Sequence, residues 1–193
     1  MPELSQAQRG GLLASPVAQV ADAFSREELD RLDAELADVP LEEWKDHVLV
    51  NGQPARRRLA HCTHLEARLS PEAFPWVHRR VWTLMHAIND ERYGFDVTGL
   101  ESLRFLVYGV GDRYEWHSDQ VPAMIRKISI SIQLSDPDRY EGGDFETMPP
   151  LVTCSRVRGT GIAIPCYFTH GVTAVTSGTR RSLVARFIGP PMR

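Results

Sequence analysis

Apolar residues recur at helical spacing in the first half of this chain and at every second position in the second half, with the change near residue 100. Ser25 is followed three residues later by Glu28, the spacing of a capping box, and Phe24 and Leu29 occupy the two staple positions around that cap. Leu29, Leu32 and Leu36 form one apolar stripe, and Pro40 is expected to end the helix. A second helix is predicted to start near Ser70-Pro71 or at Pro75, with Val77, Val81, Leu84, Met85 and Ile88 at helical spacing. Both helices read as supports with one buried face. The stretch from Leu41 to Leu69 carries mixed signals, and Arg56-Arg57-Arg58 falls in it as a polar loop. A solvated charge run is the simpler reading of these arginines. A mobile lid touching an acidic or phosphorylated substrate is the sharper one.

From Leu103 the period is two. Leu103, Phe105 and Val107 alternate with Arg104, Leu106 and Tyr108; Ile128, Ile130, Ile132 and Leu134 alternate with Lys127, Ser129, Ser131 and Gln133; Leu183, Ala185 and Phe187 alternate with Ser182, Val184 and Arg186. Successive strand side chains point to opposite faces, so each run predicts a strand with one apolar and one mostly polar face. Turn residues separate the runs at Gly109 to Arg113, Asp136-Pro137-Asp138, Glu141-Gly142-Gly143 and Thr176-Ser177-Gly178. About eight short strands of this kind predict a mainly β sandwich or barrel. The two helices would cover the apolar outer face of one sheet, and the polar faces would line an interior. Buried polar groups are costly without partners, so a polar interior predicts a ligand cavity. The chain reads as a single domain over 1–193, with helical support and a lid in 1–100 and a catalytic core in 101–190.

Composition narrows the partners. With 193 residues and 42% apolar content the chain is long enough for a substantial core. Its 22 basic and 25 acidic residues give a formal charge of -3, which does not call for nucleic acid. Cys62, Cys154 and Cys166 are odd in number and widely spaced, which argues against a disulfide framework and a four-cysteine zinc site. A reducing, cytoplasmic setting is expected. The first twenty residues lack the basic and continuous apolar regions of a signal peptide, and no stretch reaches the 18 apolar residues that suggest a membrane span.

His117-Ser118-Asp119 falls in a predicted strand, where positions i and i+2 share a face, so imidazole and carboxylate would converge. His170 opens another strand candidate 53 residues later. Two histidines and a carboxylate on a β scaffold make a facial triad that leaves positions open on iron(II). The other histidines, His47, His61, His64, His78 and His86, read as ordinary. A turn near Ser177-Gly178 would make the segment after His170 a hairpin and place Arg180 ~16 Å along the strand, a gap that two inward side chains and a five-carbon diacid bridge. Arginine is the natural bidentate partner for a carboxylate. Alternation requires either Arg180 or Arg181 to face inward.

These residues resemble the iron(II)/2-oxoglutarate-dependent dioxygenases, in the prolyl 4-hydroxylase-like branch with its PKHD-type relatives. The resemblance is carried by Tyr108-Gly-Val-Gly-Asp-Arg-Tyr114-Glu-Trp-His117-Ser-Asp119, Arg126 to Ser135, Tyr140-Glu-Gly-Gly-Asp144, Gly159 to Pro165, His170 through Arg180-Arg-Ser182, and Gly189-Pro190. It implies a double-stranded β-helix (jelly-roll, cupin-like) core. It implies His117, Asp119 and His170 as iron ligands, with Arg180 binding the distal carboxylate of 2-oxoglutarate and Ser182 assisting. Tyr108, Ser131 and Gln133 fall where relatives line the co-substrate pocket. Tyr114 and Arg186 are expected near the substrate; many relatives carry an aromatic residue where Arg186 stands. An inward Arg186 would meet a substrate carboxylate or phosphate, or pair with Asp144 or Glu146. Iron(II), 2-oxoglutarate and dioxygen are the implied cofactors, with ascorbate as a candidate reductant.

The implied reaction is hydroxylation of a C–H bond with formation of succinate and carbon dioxide. The expected substrate is an amino acid or peptide-like molecule, with a small natural-product intermediate as the alternative. Two rivals share the ligands: a cupin-like metalloenzyme without 2-oxoglutarate, which has no use for Arg180, and a non-catalytic jelly-roll binding module. Oligomeric state is not legible.

Overall fold

The computed structural model describes residues 16–50, 53–57, 62–120 and 125–191, with no side chains described for 46–50 and 53–57. Its elements in chain order are β1 (Ala18–Val20), α1 (Arg26–Leu36), β2 (Glu42–Glu43), β3 (Asp46–Val50), β4 (Gln53–Arg57), β5 (Cys62–Thr63), β6 (Leu65–Arg68) and α2 (Pro75–Ile88). A π-helical turn over Asn89–Tyr93 follows, then β7 (Gly99–Tyr108), β8 (Arg113–His117), β9 (Arg126–Gln133), a 3-10 turn (Pro137–Arg139), β10 (Tyr140–Gly142), β11 (Phe145–Met148), β12 (Val152–Thr153), β13 (Gly161–Pro165), β14 (Thr169–Val172), β15 (Val175–Gly178) and β16 (Arg180–Ile188).

Both helices form where the periodicity places them. The Glu28 amide donates to Ser25 Oγ at 3.2 Å while the Ser25 amide donates to the Glu28 carboxylate at 2.8 Å. Together they satisfy two otherwise orphaned backbone donors, and a cap of this kind contributes about 1 kcal/mol. The helix stops at Leu36, one turn before Pro40. In α2 the five predicted apolar positions are all buried, and Pro75 stands in the first turn, where its missing N–H costs nothing.

The strands pack as two sheets in a jelly-roll. The larger runs β1-β13-β9-β16-β7-β6-β2, the smaller β12-β11-β14-β8-β5, and two ribbons pair β10 with β15 and β3 with β4. Leu103, Phe105, Ile128, Ile132, Leu183, Ala185 and Phe187 of the larger sheet pack against Leu29, Leu32, Val81, Leu84 and Met85 of the helices in one core. The opposite face of the same strands carries Leu106, Tyr108, Ser131, Arg180, Ser182, Val184 and Arg186, and these line the space between the sheets. The alternation therefore places each side as read from the sequence.

Three expectations change. Residues 1–100 are less helical than expected: β1, β2 and β6 extend the larger sheet and β5 the smaller. Arg56 and Arg57 lie in β4, paired with His47 and Asp46, so they belong to a hairpin and not to a loop; Arg58 lies outside the described residues. Finally, β14 and β16 do not form a hairpin. β14 pairs with β8 and β11, whereas β16 pairs with β7 and β9 in the other sheet. Between them β15 pairs with β10, and Gly178 turns the chain with φ +72°; a Cβ there would stand 2.1 Å from the Arg139 carbonyl oxygen. His170 and Arg180 thus face each other across the interior.

Candidate active site

His117 ends β8 and His170 lies near the start of β14, directly opposite it in the pairing register, with ring centroids 4.3 Å apart. Asp119 lies beyond the end of β8, so it does not share a strand with His117 as expected. Contacts from the larger sheet hold its carboxylate instead. Ser129 Oγ donates to Oδ2 at 2.6 Å and Arg186 Nε donates to Oδ1 at 2.9 Å. The three ligand atoms lie within 4.8 Å of one another, the one such grouping among the described residues.

Each imidazole is oriented by a backbone carbonyl. His117 Nδ1 lies 2.8 Å from the Glu115 oxygen and His170 Nδ1 lies 3.1 Å from the Phe168 oxygen. A carbonyl only accepts, so both protons sit on Nδ1 and both Nε2 lone pairs face the interior. His117 Nε2 is buried and has no hydrogen-bond partner among the described residues. Burial pushes the His117 imidazole down to about 4, with His170 reinforcing it, and burial lowers His170 as well. Burial alone would raise Asp119, but the Arg186 guanidinium, helped by His170 and the Ser129 hydroxyl, holds its carboxyl well below the usual carboxylate range. Two neutral imidazoles and an ionised carboxylate, with an orphaned nitrogen between them, fit a divalent metal.

Arg180 is 1% exposed. Nη1 donates to Ser182 Oγ at 3.2 Å and Nη2 donates to Gln133 Oε1 at 3.1 Å, while Nε has no partner among the described residues. Neutral oxygens hold the fork in place but do not compensate its charge. Among the described residues no carboxylate pairs with it. A buried cation of this kind is destabilising unless an anion arrives. Tyr108 is stacked beneath it, with the guanidinium 5.2 Å from the ring centroid. Burial raises the Tyr108 and Tyr114 hydroxyls above their ordinary range, so both remain protonated donors.

These groups border one cavity between the two sheets. His117, Asp119, His170, Tyr108, Tyr114, Ser131, Arg180, Ser182 and Arg186 line it; Gln133 reaches it through Arg180. Tyr114 stacks flat on His117, with centroids 3.8 Å apart and planes 13° from parallel. Arg186 pairs with neither predicted acid, since Asp144 pairs with Arg156 at 3.5 Å and Glu146 accepts from Thr153 at 3.2 Å. Apolar walls from Leu106, Phe145, Ile162, Ile164 and Val172 complete the site.

Two groups behind the site were missed. Ser129 was read only as a strand position. His64, read as ordinary, is buried with its ring 5.0 Å from that of Tyr108. Its Nδ1 lies 3.4 Å from Cys62 Sγ, its Nε2 lies 3.7 Å from Glu66, and Glu66 pairs with Arg104. The i, i+2, i+4 spacing of Cys62, His64 and Glu66 was the available signal.

The family model for the 2OG-Fe(II) oxygenase superfamily matches residues 103–189. A PKHD-type hydroxylase from Rhizorhabdus wittichii is 35% identical over 86 residues, covering 39% of this chain; the match spans only 38% of that relative's length. In fold, the chain is similar to a Pseudomonas putida prolyl-4-hydroxylase, with TM-score 0.72 and 18% identity over 93% of this chain and 95% of that one. It is also similar to HygX from Streptomyces hygroscopicus, solved with nickel and 2-oxoglutarate bound, with TM-score 0.68 and 13% identity over 97% and 88% of the two chains.

Proposed function

We propose that this chain, whose residues 103–189 form a 2OG-Fe(II) oxygenase domain of the prolyl 4-hydroxylase-like type, is an iron(II)- and 2-oxoglutarate-dependent hydroxylase acting on an amino-acid or peptide-like substrate, with succinate and carbon dioxide as co-products. The single observation that carries the reading is Arg180, a buried cation without a carboxylate partner among the described residues, facing His117, Asp119 and His170 across the cavity.

His117, Asp119 and His170 would hold the metal through Nε2, a carboxylate oxygen and Nε2. The bound iron supplies dioxygen activation coupled to 2-oxoglutarate decarboxylation. The chain's own residues prepare that chemistry. The Glu115 and Phe168 carbonyls fix the imidazole tautomers. Ser129 and Arg186 fix the Asp119 rotamer and keep it ionised. Arg180, held by Gln133 and Ser182, receives the distal carboxylate, and Tyr108 and Ser131 flank it. The apolar walls exclude water from the reacting face. Cys62, Cys154 and Cys166 form no disulfide, and among the described residues no helix is long and apolar enough to cross a membrane.

The test is anaerobic reconstitution with iron(II) followed by oxygen and 2-oxoglutarate. Succinate should form in proportion to 2-oxoglutarate consumed, and Asp119→Ala should abolish it. Metal uptake without any succinate would favour the cupin-like alternative.

A further inference from the structure

Arg186 puts a second guanidinium in the cavity, and its charge is not balanced by the groups already assigned. This inference rests on the function proposed above. Among the described residues lining the cavity, the charged side chains are Asp119, Arg180 and Arg186. The ligand histidines bind metal as neutral imidazoles. A divalent metal and a dianionic 2-oxoglutarate cancel each other, and Asp119 cancels one guanidinium. One positive charge remains. Outside the cavity lining, Glu66 is already closed in a pair with Arg104 and Glu101 in a pair with Arg126. A buried cation left in this state is unfavourable, so the balancing anion must come from solution.

The geometry places that charge within reach. Arg186 bonds to Asp119 through Nε. Among the described residues its two terminal amino groups have no acceptor, and their planar fork matches a carboxylate. Arg180 and Arg186 are six residues apart on the same face of β16, ~20 Å along the strand at about 3.3 Å per residue. A single five-carbon diacid seated on Arg180 does not span that backbone separation, so Arg186 calls for a second acceptor. Arg186 touches the candidate metal ligand Asp119 directly, so a group on Arg186 lies beside the reacting position.

We propose that Arg186 is a specificity residue that binds a single carboxylate of the primary substrate, and that the substrate class is a small carboxylic acid with its reactive C–H near that carboxylate. One carboxylate brings the loaded cavity to neutrality, whereas a phosphate dianion would leave it negative. The same cavity already has to hold 2-oxoglutarate, which favours a small second acid.

The experiment uses the full chain loaded anaerobically with iron(II) and 2-oxoglutarate, and follows the visible band of the chelate. The probes are N-acetyl derivatives of the twenty amino acids, each as free acid and as methylamide, with inorganic phosphate alongside. At least one free acid should perturb the band, and its methylamide should bind at least tenfold more weakly, a difference of about 1.4 kcal/mol. Arg186→Met, read at iron(II) and 2-oxoglutarate concentrations that saturate its own band, should erase that acid preference, and Arg186→Lys should restore part of it. Four results would overturn the proposal: equal binding of acids and methylamides, no acid bound at about 10 mM, phosphate preferred over every acid, or an acid preference that survives Arg186→Met. If Arg186→Met instead loses the metal, and Arg186→Lys regains the metal without the acid preference, Arg186 is a positioning residue for Asp119 and the proposal is overturned. Failure of the wild-type chain to load 2-oxoglutarate at all would overturn the underlying function, and this proposal with it.

Discussion

Arg180 is the cross-strand partner of Tyr108, and its guanidinium lies 5.2 Å from that ring with no carboxylate partner among the described residues. The consequence for stability is opposite in sign to the consequence for binding. Replacing even a buried ion pair with apolar side chains of similar volume is often neutral or stabilising by about 1–4 kcal/mol, and an unpaired cation has no Coulombic gain to lose. Arg180→Met should therefore melt no lower than the wild type without 2-oxoglutarate. It should also bind 2-oxoglutarate at least 100-fold more weakly, since it removes charge-assisted bonds of about 1.5–3 kcal/mol each. Thermal melts with and without 2-oxoglutarate check both. A variant that melts much lower but binds normally would make Arg180 structural.

Removing Asp119 should have the reverse effect on the metal-free protein. Asp119→Ala leaves the partly buried Arg186 without its acid, and breaking such a pair costs up to about 3–5 kcal/mol, the value for fully buried pairs. Denaturant unfolding of the metal-free variant should show that loss, and metal titration should show no high-affinity site. An Asp119→Ala protein as stable as the wild type would mean that Arg186 finds another partner.

Acid should destabilise the metal-free fold through its histidines. Burial lowers His64, His117 and His170, so all three are held neutral in the folded state. The unfolded chain binds more protons below about 6.5, so stability rises with pH through the interval between each folded value and about 6.5. For His117 that interval extends down to about 4. Asp119 does not cancel the trend, because its carboxyl stays ionised well below this range. Melting temperature should fall steadily between pH 6.5 and pH 4, and His64→Gln should flatten part of the fall. A pH-independent melt over this interval would contradict the neutral-histidine interior.

Two glycines separate backbone strain from simple flexibility. Gly94 and Gly178 both have positive φ, +65° and +72°, but a Cβ on Gly94 meets nothing within 4 Å, whereas one on Gly178 falls 2.1 Å from a backbone oxygen. Gly94→Ala should cost only about 1–2 kcal/mol, the ordinary penalty for a side chain in the left-handed region. Gly178→Ala should cost considerably more and should displace the turn that carries Arg180 into the larger sheet, so 2-oxoglutarate binding should weaken with stability. Urea unfolding of both variants, with 2-oxoglutarate binding measured on each, makes the comparison.

Periodicity sufficed for the helices and for the two faces of β7, β9 and β16, because a strand's side-chain period is fixed by its pleat. It did not reveal which strands pair. His170 to Arg180 read as a hairpin because a turn signal lies between them, yet the intervening β15 pairs with β10 and the chain crosses to the other sheet. Such long-range pairing leaves no local trace. The cluster of His117, Asp119 and His170 was legible by residue type and order, but the reason Asp119 faces the histidines was not. It lies past the end of β8 and is held by Ser129 and Arg186, which are ten and 67 residues away. His64 stayed hidden because β5 and β6 are too short for alternation to stand out against a mixed-signal region.

The central claim is that His117, Asp119 and His170 hold iron(II) while Arg180 anchors 2-oxoglutarate across the cavity. Anaerobic titration of iron(II) into the metal-free protein with 2-oxoglutarate present tests it most directly, read by the visible charge-transfer band of the chelate. The account requires a saturable band at one equivalent of iron in the wild type, a much weaker one in Arg180→Met at the same 2-oxoglutarate concentration, and none in Asp119→Ala. A wild-type protein that binds iron without developing the band would contradict it.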